Sequence, residues 1–232
     1  MNSQKTLDSI QELIDIMALL RSENGCQWDR AQTPESLKTH ILEEAYEVLE
    51  AIDQGDPDEI CDELGDLLLQ VVFQSQIFSE SGLFGMAEVA KSISDKLKRR
   101  HPHIFADADH EGHEQRWEEI KQQERISRGM SNRLGQRIPA TLPALKRCTK
   151  VARKLPAIDP QSALRQIQNQ LDHLSVKLEE TTNKKKQTEE SLGILLQEIC
   201  YFSASIGADP EELLRQKTAQ LISEIDSGNK PY

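Results

Sequence analysis

The chain has no apolar run approaching the roughly 20 residues that a membrane helix needs. Its first residues, Met1-Asn-Ser-Gln-Lys5, lack the apolar core of a secretory signal. It is also short of positive charge: 28 Lys and Arg stand against 39 Asp and Glu, a net charge of −11. That balance argues against general binding to nucleic-acid polymers or membrane surfaces, while local charge can still hold a phosphate-bearing small molecule. Cysteine is sparse. Cys26, Cys61, Cys148 and Cys200 are far apart and form no metal or redox spacing, so free thiols in a reducing cytoplasm are expected. With 37% hydrophobic and 29% charged residues, the chain reads as soluble and rich in exposed helix, and its 232 residues suffice for one or two domains.

What is present in quantity is acid, and its densest pattern lies between Pro34 and Phe78. Two helices are predicted there, broken at Asp53-Gln-Gly55-Asp56-Pro57. The first opens at Thr33-Pro34-Glu35-Ser36, an N-cap followed by proline at the first helical position. The second opens at Asp56-Pro57-Asp58-Glu59, spaced as a capping box. Glu44 and Glu47 lie one turn apart on one side of the first helix, and Glu63 and Asp66 do the same on the second. In an antiparallel hairpin, Glu47 faces Glu63 and Glu44 faces Asp66, because each pair is equidistant from Gly55. The carboxylates border an apolar stripe of Leu37, Ile41, Ala45, Val48 and Ile52, continued by Ile60, Leu64, Leu67 and Val71. Carboxylates beside a core are costly unless something positive meets them. Either this is a solvated acidic face with ordinary helix charge pairs, or a divalent cation sits here. Oxygen ligands without His or Cys favour Mg²⁺ or Mn²⁺ over zinc or copper. A di-iron bundle needs Glu-x-x-His pairs, and none occurs on these helices.

Glu43-Glu44-x-x-Glu47 followed by Glu63-x-x-Asp66 resembles the signature of the MazG family of all-α nucleoside triphosphate pyrophosphohydrolases. The resemblance continues in Asn24-Gly25-Cys26-Gln27-Trp28-Asp29, in Ser94-Asp95-Lys96-Leu97-Lys98-Arg99-Arg100-His101-Pro102-His103-Ile104-Phe105 and in Trp117-Glu-Glu-Ile-Lys121, covering most of residues 8–125 in family order. Gln27 departs from the proline usual at that place. The resemblance implies catalysis by Glu43, Glu44, Glu47, Glu63 and Asp66. It implies Mg²⁺, with Mn²⁺ as a substitute, on Glu44, Glu47, Glu63 and Asp66, with Asp95 a further candidate ligand. It implies phosphate contacts from Lys96, Arg100 and Lys121, with Arg99 and Trp117 in the same substrate-binding segments, and a place for Trp28 near the nucleoside. Read from the residues alone, Trp28 either stacks on a base or caps the core.

The remaining segments fit around the hairpin. Leu7, Ile10, Leu13, Ile14, Met17 and Leu20 recur at helical spacing, predicting a core helix over 7–22 and a loop over Asn24–Gln32. The second hairpin helix is more apolar than two helices can bury, so a homodimer closing a four-helix bundle is the expected solution. Met86–Arg100 is predicted helical with a basic tail, Lys96, Lys98, Arg99 and Arg100, more charge than a helix dipole alone calls for. His101 and His103 read as structural. A polar loop is expected over Asp107–Glu114 and a helix over Gln115–Ile126. Gly129, Gly135, Pro139 and Pro143 then mark a linker. Nine basic residues and no acid occur from Arg125 to Lys154; we read them as a solvated linker and helix face, with a binding strip as the alternative.

The last third repeats the hairpin without its acids. Ile167, Leu171, Leu174 and Leu178 align on Ile41, Ala45, Val48 and Ile52, and Leu192-Gly193-Ile194-Leu195-Leu196 on Leu64-Gly65-Asp66-Leu67-Leu68. Glu43, Glu44 and Glu47 become Asn169, Gln170 and His173; Glu63 and Asp66 become Ser191 and Ile194. Asp95, Lys96, Arg99 and Arg100 become Ala219, Gln220, Ser223 and Glu224, and a charged loop is expected over Glu179–Glu190. The expected layout is an all-α chain of hairpins: a catalytic domain over 1–126, a linker over 127–145 and a degenerate, non-metal-binding copy over 146–232.

The expected reaction, implied by the resemblance, is hydrolysis of a canonical or damaged (deoxy)nucleoside triphosphate to monophosphate and diphosphate in a house-cleaning role. Two other readings are a narrower dUTP-type or phosphoribosyl-ATP hydrolase, against which the two-copy layout speaks, and a non-catalytic helical protein that senses Mg·NTP.

Overall fold

A computed structural model describes residues 3–105, 113–127, 129, 131, 133–179 and 184–228, with side chains at all of these but 113–116, 178, 179 and 184. Every regular element among them is helical, so the fold is all-α. The chain divides into two compact units, Met1–Lys121 and Gln122–Tyr232.

In the first unit, α1 (Ser3–Leu20), α2 (Gln27–Ala31), α3 (Lys38–Gln54), α4 (Pro57–Glu80), α5 (Met86–Arg100), α6 (Pro102–Phe105) and α7 (His113–Ser127, which runs across the boundary) follow in order. The hairpin α3–α4 is the main packing, with α1 and α5 laid against α4. It turns where expected. Gly55 ends α3 at φ 81°, a left-handed conformation that only glycine adopts without strain. Asp56 then caps α4 by accepting from the Asp58 N–H at 3.0 Å, with Pro57 at the first helical position.

The start of α3 differs from expectation. Thr33 and Ser36 exchange backbone-to-hydroxyl hydrogen bonds of 3.0 and 3.2 Å, the cap geometry predicted. Regular helix nevertheless begins only at Lys38. The Pro34 carbonyl accepts from Gln74 Nε2 of α4 at 3.3 Å, and the Lys38 N–H bonds to Glu35 instead. The segment predicted as loop over 24–32 contains α2, held by Arg21. Its guanidinium donates to the carbonyls of Asp29 and Gln32 and forms a two-point ion pair with Glu80 at the end of α4, both N···O distances 2.8 Å. Gly25 lies so close to α1 that a Cβ there would stand 2.2 Å from the Leu20 carbonyl oxygen.

Met17, Leu37, Val72 and Phe73 form the core, with Leu13, Ile14, Leu20, Leu69, Ile77 and Met86 packed around it. The predicted stripe is only partly buried: Leu37 and Val48 are inside, whereas Ile52 is 53% and Leu64 50% exposed.

The second unit has α8 (Leu134–Arg137), α9 (Ala144–Ala152), α10 (Pro160–Glu179), α11 (Lys184–Ser205) and α12 (Pro210–Asp226). Its main packing is the hairpin α10–α11, with α9 and α12 against α11 and against each other. Ala163, Leu195 and Cys200 are buried. All four cysteines are free, and burial beside Cys200 pushes the Cys148 thiol up to about 11. The charged loop expected over Glu179–Glu190 is a correction: Glu179 still belongs to α10, Lys184–Glu190 form the first turns of α11, and Lys185 meets Glu189 one turn on, at 4.0 Å. Residues 180–183, like 106–112 of the expected Asp107–Glu114 loop, lie outside the described residues. Among the described residues no single helix is long and apolar enough to cross a membrane.

Candidate active site

Helical periodicity and the turn at Gly55 together decide which acids meet. Glu44 on α3 and Glu63 and Asp66 on α4 each bring a carboxylate oxygen to within 4.8 Å of the other two. Glu47 joins them: its carboxyl hydrogen-bonds Glu44, and its charge presses on Glu63. Glu44 and Glu63 are half-buried and Asp66 is exposed. The Glu44 carboxyl is held above its ordinary range by burial, then by the Asp66 charge and by Glu47. Glu63 is raised by burial and by the charges of Glu47, Asp66, Asp62 and Glu59. The four acids, two pairs one turn apart, therefore repel each other. Among the described residues no Lys or Arg forms an ion pair with Glu44, Glu63 or Asp66.

Gln70, one turn beyond Asp66 and 7% exposed, donates from Nε2 to Glu44 Oε1 at 3.3 Å. Its own Oε1 is buried and has no hydrogen-bond partner among the described residues. A hard divalent cation fits this arrangement, since all donors are oxygens, their charges are uncompensated and a neutral amide oxygen lies at the edge.

Two candidate acids have other partners. Glu43 meets His40 at 3.2 Å, and Asp95 meets Lys91 at 3.1 Å. Glu43 follows the same helix as Glu44 but is rotated about 100° around it, which turns it off the hairpin face. The Trp28 ring, 55% exposed, stands edge-on to His40 with centroids 6.2 Å apart. It therefore borders the start of α3, one turn before the acids.

The basic candidates gather around α5 and α7. The Arg100 guanidinium lies over the Trp117 ring at 5.3 Å, a cation–π contact that fixes its plane. His101 also packs edge-on to Trp117 at 5.0 Å, and its Nδ1 is 2.8 Å from the Leu97 carbonyl oxygen. Lys121 pairs with Glu118 at 2.6 Å. Lys96 is half-buried at the edge of an open groove lined by Phe84, Glu88, Val89, Ser92 and Ile93. Arg99 is exposed.

A family model described as the MazG nucleotide pyrophosphohydrolase domain matches residues 32–105, the span holding both acidic helices and the basic tail of α5. The chain is 39% identical over 220 residues to the Thermotoga maritima nucleoside triphosphate pyrophosphohydrolase/pyrophosphatase MazG, covering 93% of this chain and 83% of that protein. It is 37% identical over 221 residues to the Escherichia coli K12 nucleoside triphosphate pyrophosphohydrolase, covering 90% and 83%. This chain belongs to the MazG family. A Mycolicibacterium smegmatis nucleoside triphosphate pyrophosphohydrolase is 34% identical over 146 residues, 61% of this chain.

Within this MazG hairpin, sequence reasoning overlooked two residues. Gln70 was visible as the next member of the series Glu63, Asp66, Gln70, all on one side of α4. His40 carried a weaker signal, one turn before Glu43 and Glu44; its contact with Trp28 joins segments that sequence spacing cannot relate.

Proposed function

We propose that this chain hydrolyses nucleoside triphosphates to the monophosphate and diphosphate. The convergence of Glu44, Glu63 and Asp66 within 4.8 Å carries the reading, and the likeness over most of the chain to the Thermotoga maritima and Escherichia coli nucleoside triphosphate pyrophosphohydrolases supports it. Water attacks the α-phosphorus, the bond from that phosphorus to the α–β bridging oxygen breaks, and diphosphate leaves. A divalent cation held by Glu44, Glu47, Glu63 and Asp66, Mg²⁺ by preference and Mn²⁺ as substitute, supplies Lewis acidity and charge neutralisation when bound. Gln70 fixes the rotamer of Glu44. Lys96, Arg99, Arg100 and Lys121 neutralise phosphate oxygens, and Trp117 holds the Arg100 plane for two-point contact. Trp28 offers its exposed ring to the base. Asp95 stands as a further ligand and Glu43 as an outer acid.

The apolar face left open by Ile41, Leu49, Ile52, Leu64, Leu68 and Val71, each more than a third exposed, suits a homodimer that completes a four-helix bundle. We assign catalysis to 1–126 and a supporting, metal-free role to 146–232, with 127–145 joining them, in a cytoplasmic enzyme that acts on small nucleotides.

The test is anion-exchange separation of products after incubation with Mg²⁺ and each nucleoside triphosphate, beside Glu44→Gln. Monophosphate and diphosphate from wild type, lost in the variant, are expected. Nucleoside diphosphate and phosphate would refute the assigned cut. Binding without turnover would make the protein a nucleotide sensor.

A further inference from the structure

The basic stretch from Arg125 to Lys154 behaves unlike a solvated linker. Ile138 within it is 5% exposed. Arg125, near the end of α7, donates from Nη2 to the Gln136 carbonyl oxygen at 3.0 Å, which brings its guanidinium to the residue preceding Arg137. Both Arg125 and Arg137 are half-buried, and the Nε of each is fully buried with no hydrogen-bond partner among the described residues. Guanidinium groups do not deprotonate in proteins. Both therefore keep their charge while each holds a buried Nε–H without a partner, which costs free energy that an anion could offset. Glu124 precedes Arg125, but no Asp or Glu occurs from Arg125 to Lys154.

We infer that Arg125 and Arg137 form a binding site for a phosphate-type oxyanion, built from residues other than those of the carboxylate hairpin. The planar fork of each guanidinium suits two phosphate oxygens, and the excess of basic residues over 125–154 favours an anion there. Diphosphate, the leaving group of the proposed reaction, is the probe of first choice; that choice rests on the proposed reaction, whereas the phosphate arm of the test does not.

The experiment is calorimetric titration of the full chain in EDTA with inorganic phosphate, inorganic diphosphate and a nucleoside triphosphate. Wild type runs beside Glu44→Gln, Arg125→Gln, Arg137→Gln and the double variant. Expected are saturable binding to wild type, an unchanged constant in Glu44→Gln, weakening of about 10-fold in each Arg variant and loss in the double variant. Binding of the triphosphate alone, with the same Arg dependence, would assign the site to a nucleotide's phosphate tail. Binding of none of the three, or an unchanged constant in the double variant, would overturn the inference. Should the Arg variants fail to fold, phenylglyoxal modification of wild type followed by peptide mass mapping replaces them. Diphosphate should slow modification at Arg125 and Arg137, and equal rates with and without it would equally sink the site. Anion binding with no triphosphate cleavage would leave this site standing while the proposed reaction falls.

Discussion

The hairpins α3–α4 and α10–α11 share a plan and differ in charge. Each is the main packing of its unit, and each has a preceding helix on its second arm, the 18-residue α1 on α4 and the 9-residue α9 on α11. Each such helix is followed by an arginine that reaches the far end of that arm: Arg21 to Glu80, and Arg153 to the carbonyls of Gly207 and Ala208 at 3.4 and 3.1 Å. Where the first hairpin sets Glu63 and Asp66, the second sets Ser191 and Ile194. Ser191 is 3% exposed and accepts a hydrogen bond from Lys177 Nζ at 2.8 Å. The first site carries uncompensated negative charge; the second supplies its own cation. One backbone plan thus serves as a site that needs a positive ligand or as one that needs none.

The largest effect should come from moving one residue across that comparison. Asp66→Ile gives the first hairpin the residue that Ile194 supplies in the second. Triphosphate cleavage should fall at least about 1,000-fold, as when a group stabilising transition-state charge is removed. The melting temperature in EDTA should rise by roughly 2–4 °C because one repelling charge has gone. Retained cleavage, measured by product separation, would remove Asp66 from the site.

The two arginines come next. Arg21→Ala leaves the exposed Glu80 without its bidentate partner and frees two loop carbonyls, a loss of about 2 kcal/mol. Arg153→Ala removes only bonds to carbonyls that water can replace, about 1 kcal/mol. Urea unfolding followed by circular dichroism compares them. Equal losses would mean that the Glu80 carboxylate adds nothing to the first unit's clasp.

Acidity separates the units further. Glu44 and Glu63 have folded pKa values above their unfolded ones, so the folded first unit binds protons more tightly than the unfolded chain. Their contribution is most favourable below pH 4.5 and declines as pH rises through the folded values. Glu80 is depressed by its bonds to Arg21, so its contribution is present above pH 4.5 and is lost as pH falls through its folded value. In EDTA, melting temperature should therefore decline as pH is raised from 4.5 toward neutrality, and Mg²⁺ should cancel the decline. A decline that persists in Asp66→Ile and ignores Mg²⁺ would locate it elsewhere.

The hairpin itself was legible because its information is local. Gly55 and Pro57 punctuate it, and equal distances from Gly55 place Glu44 opposite Asp66. What escaped was set by contacts distant in sequence. Gln74 takes the Pro34 carbonyl forty residues away and delays α3 to Lys38. Arg21 organises α2 by gripping two carbonyls and Glu80. Arg125 and Arg137 read as solvated because composition alone does not say which charges a fold withdraws from water.

The smallest effect tests the claim about the second hairpin most directly. Ser191→Glu together with Ile194→Asp restores the acids at the places of Glu63 and Asp66. In an Asp66→Ile background, where the first hairpin has lost one of its acids, calorimetry can ask whether Mg²⁺ now binds the second. It should not, because the Lys177 ammonium already faces position 191 and would pair with the new carboxylate, which satisfies the charge that a metal would otherwise answer. Stability should change by less than about 1 kcal/mol, the usual worth of a partly exposed ion pair. Adding Lys177→Met removes that ammonium, and weak Mg²⁺ binding should then emerge. Binding before Lys177 is removed would mean that the lack of acids, and not the resident cation, is what keeps Mg²⁺ from this hairpin.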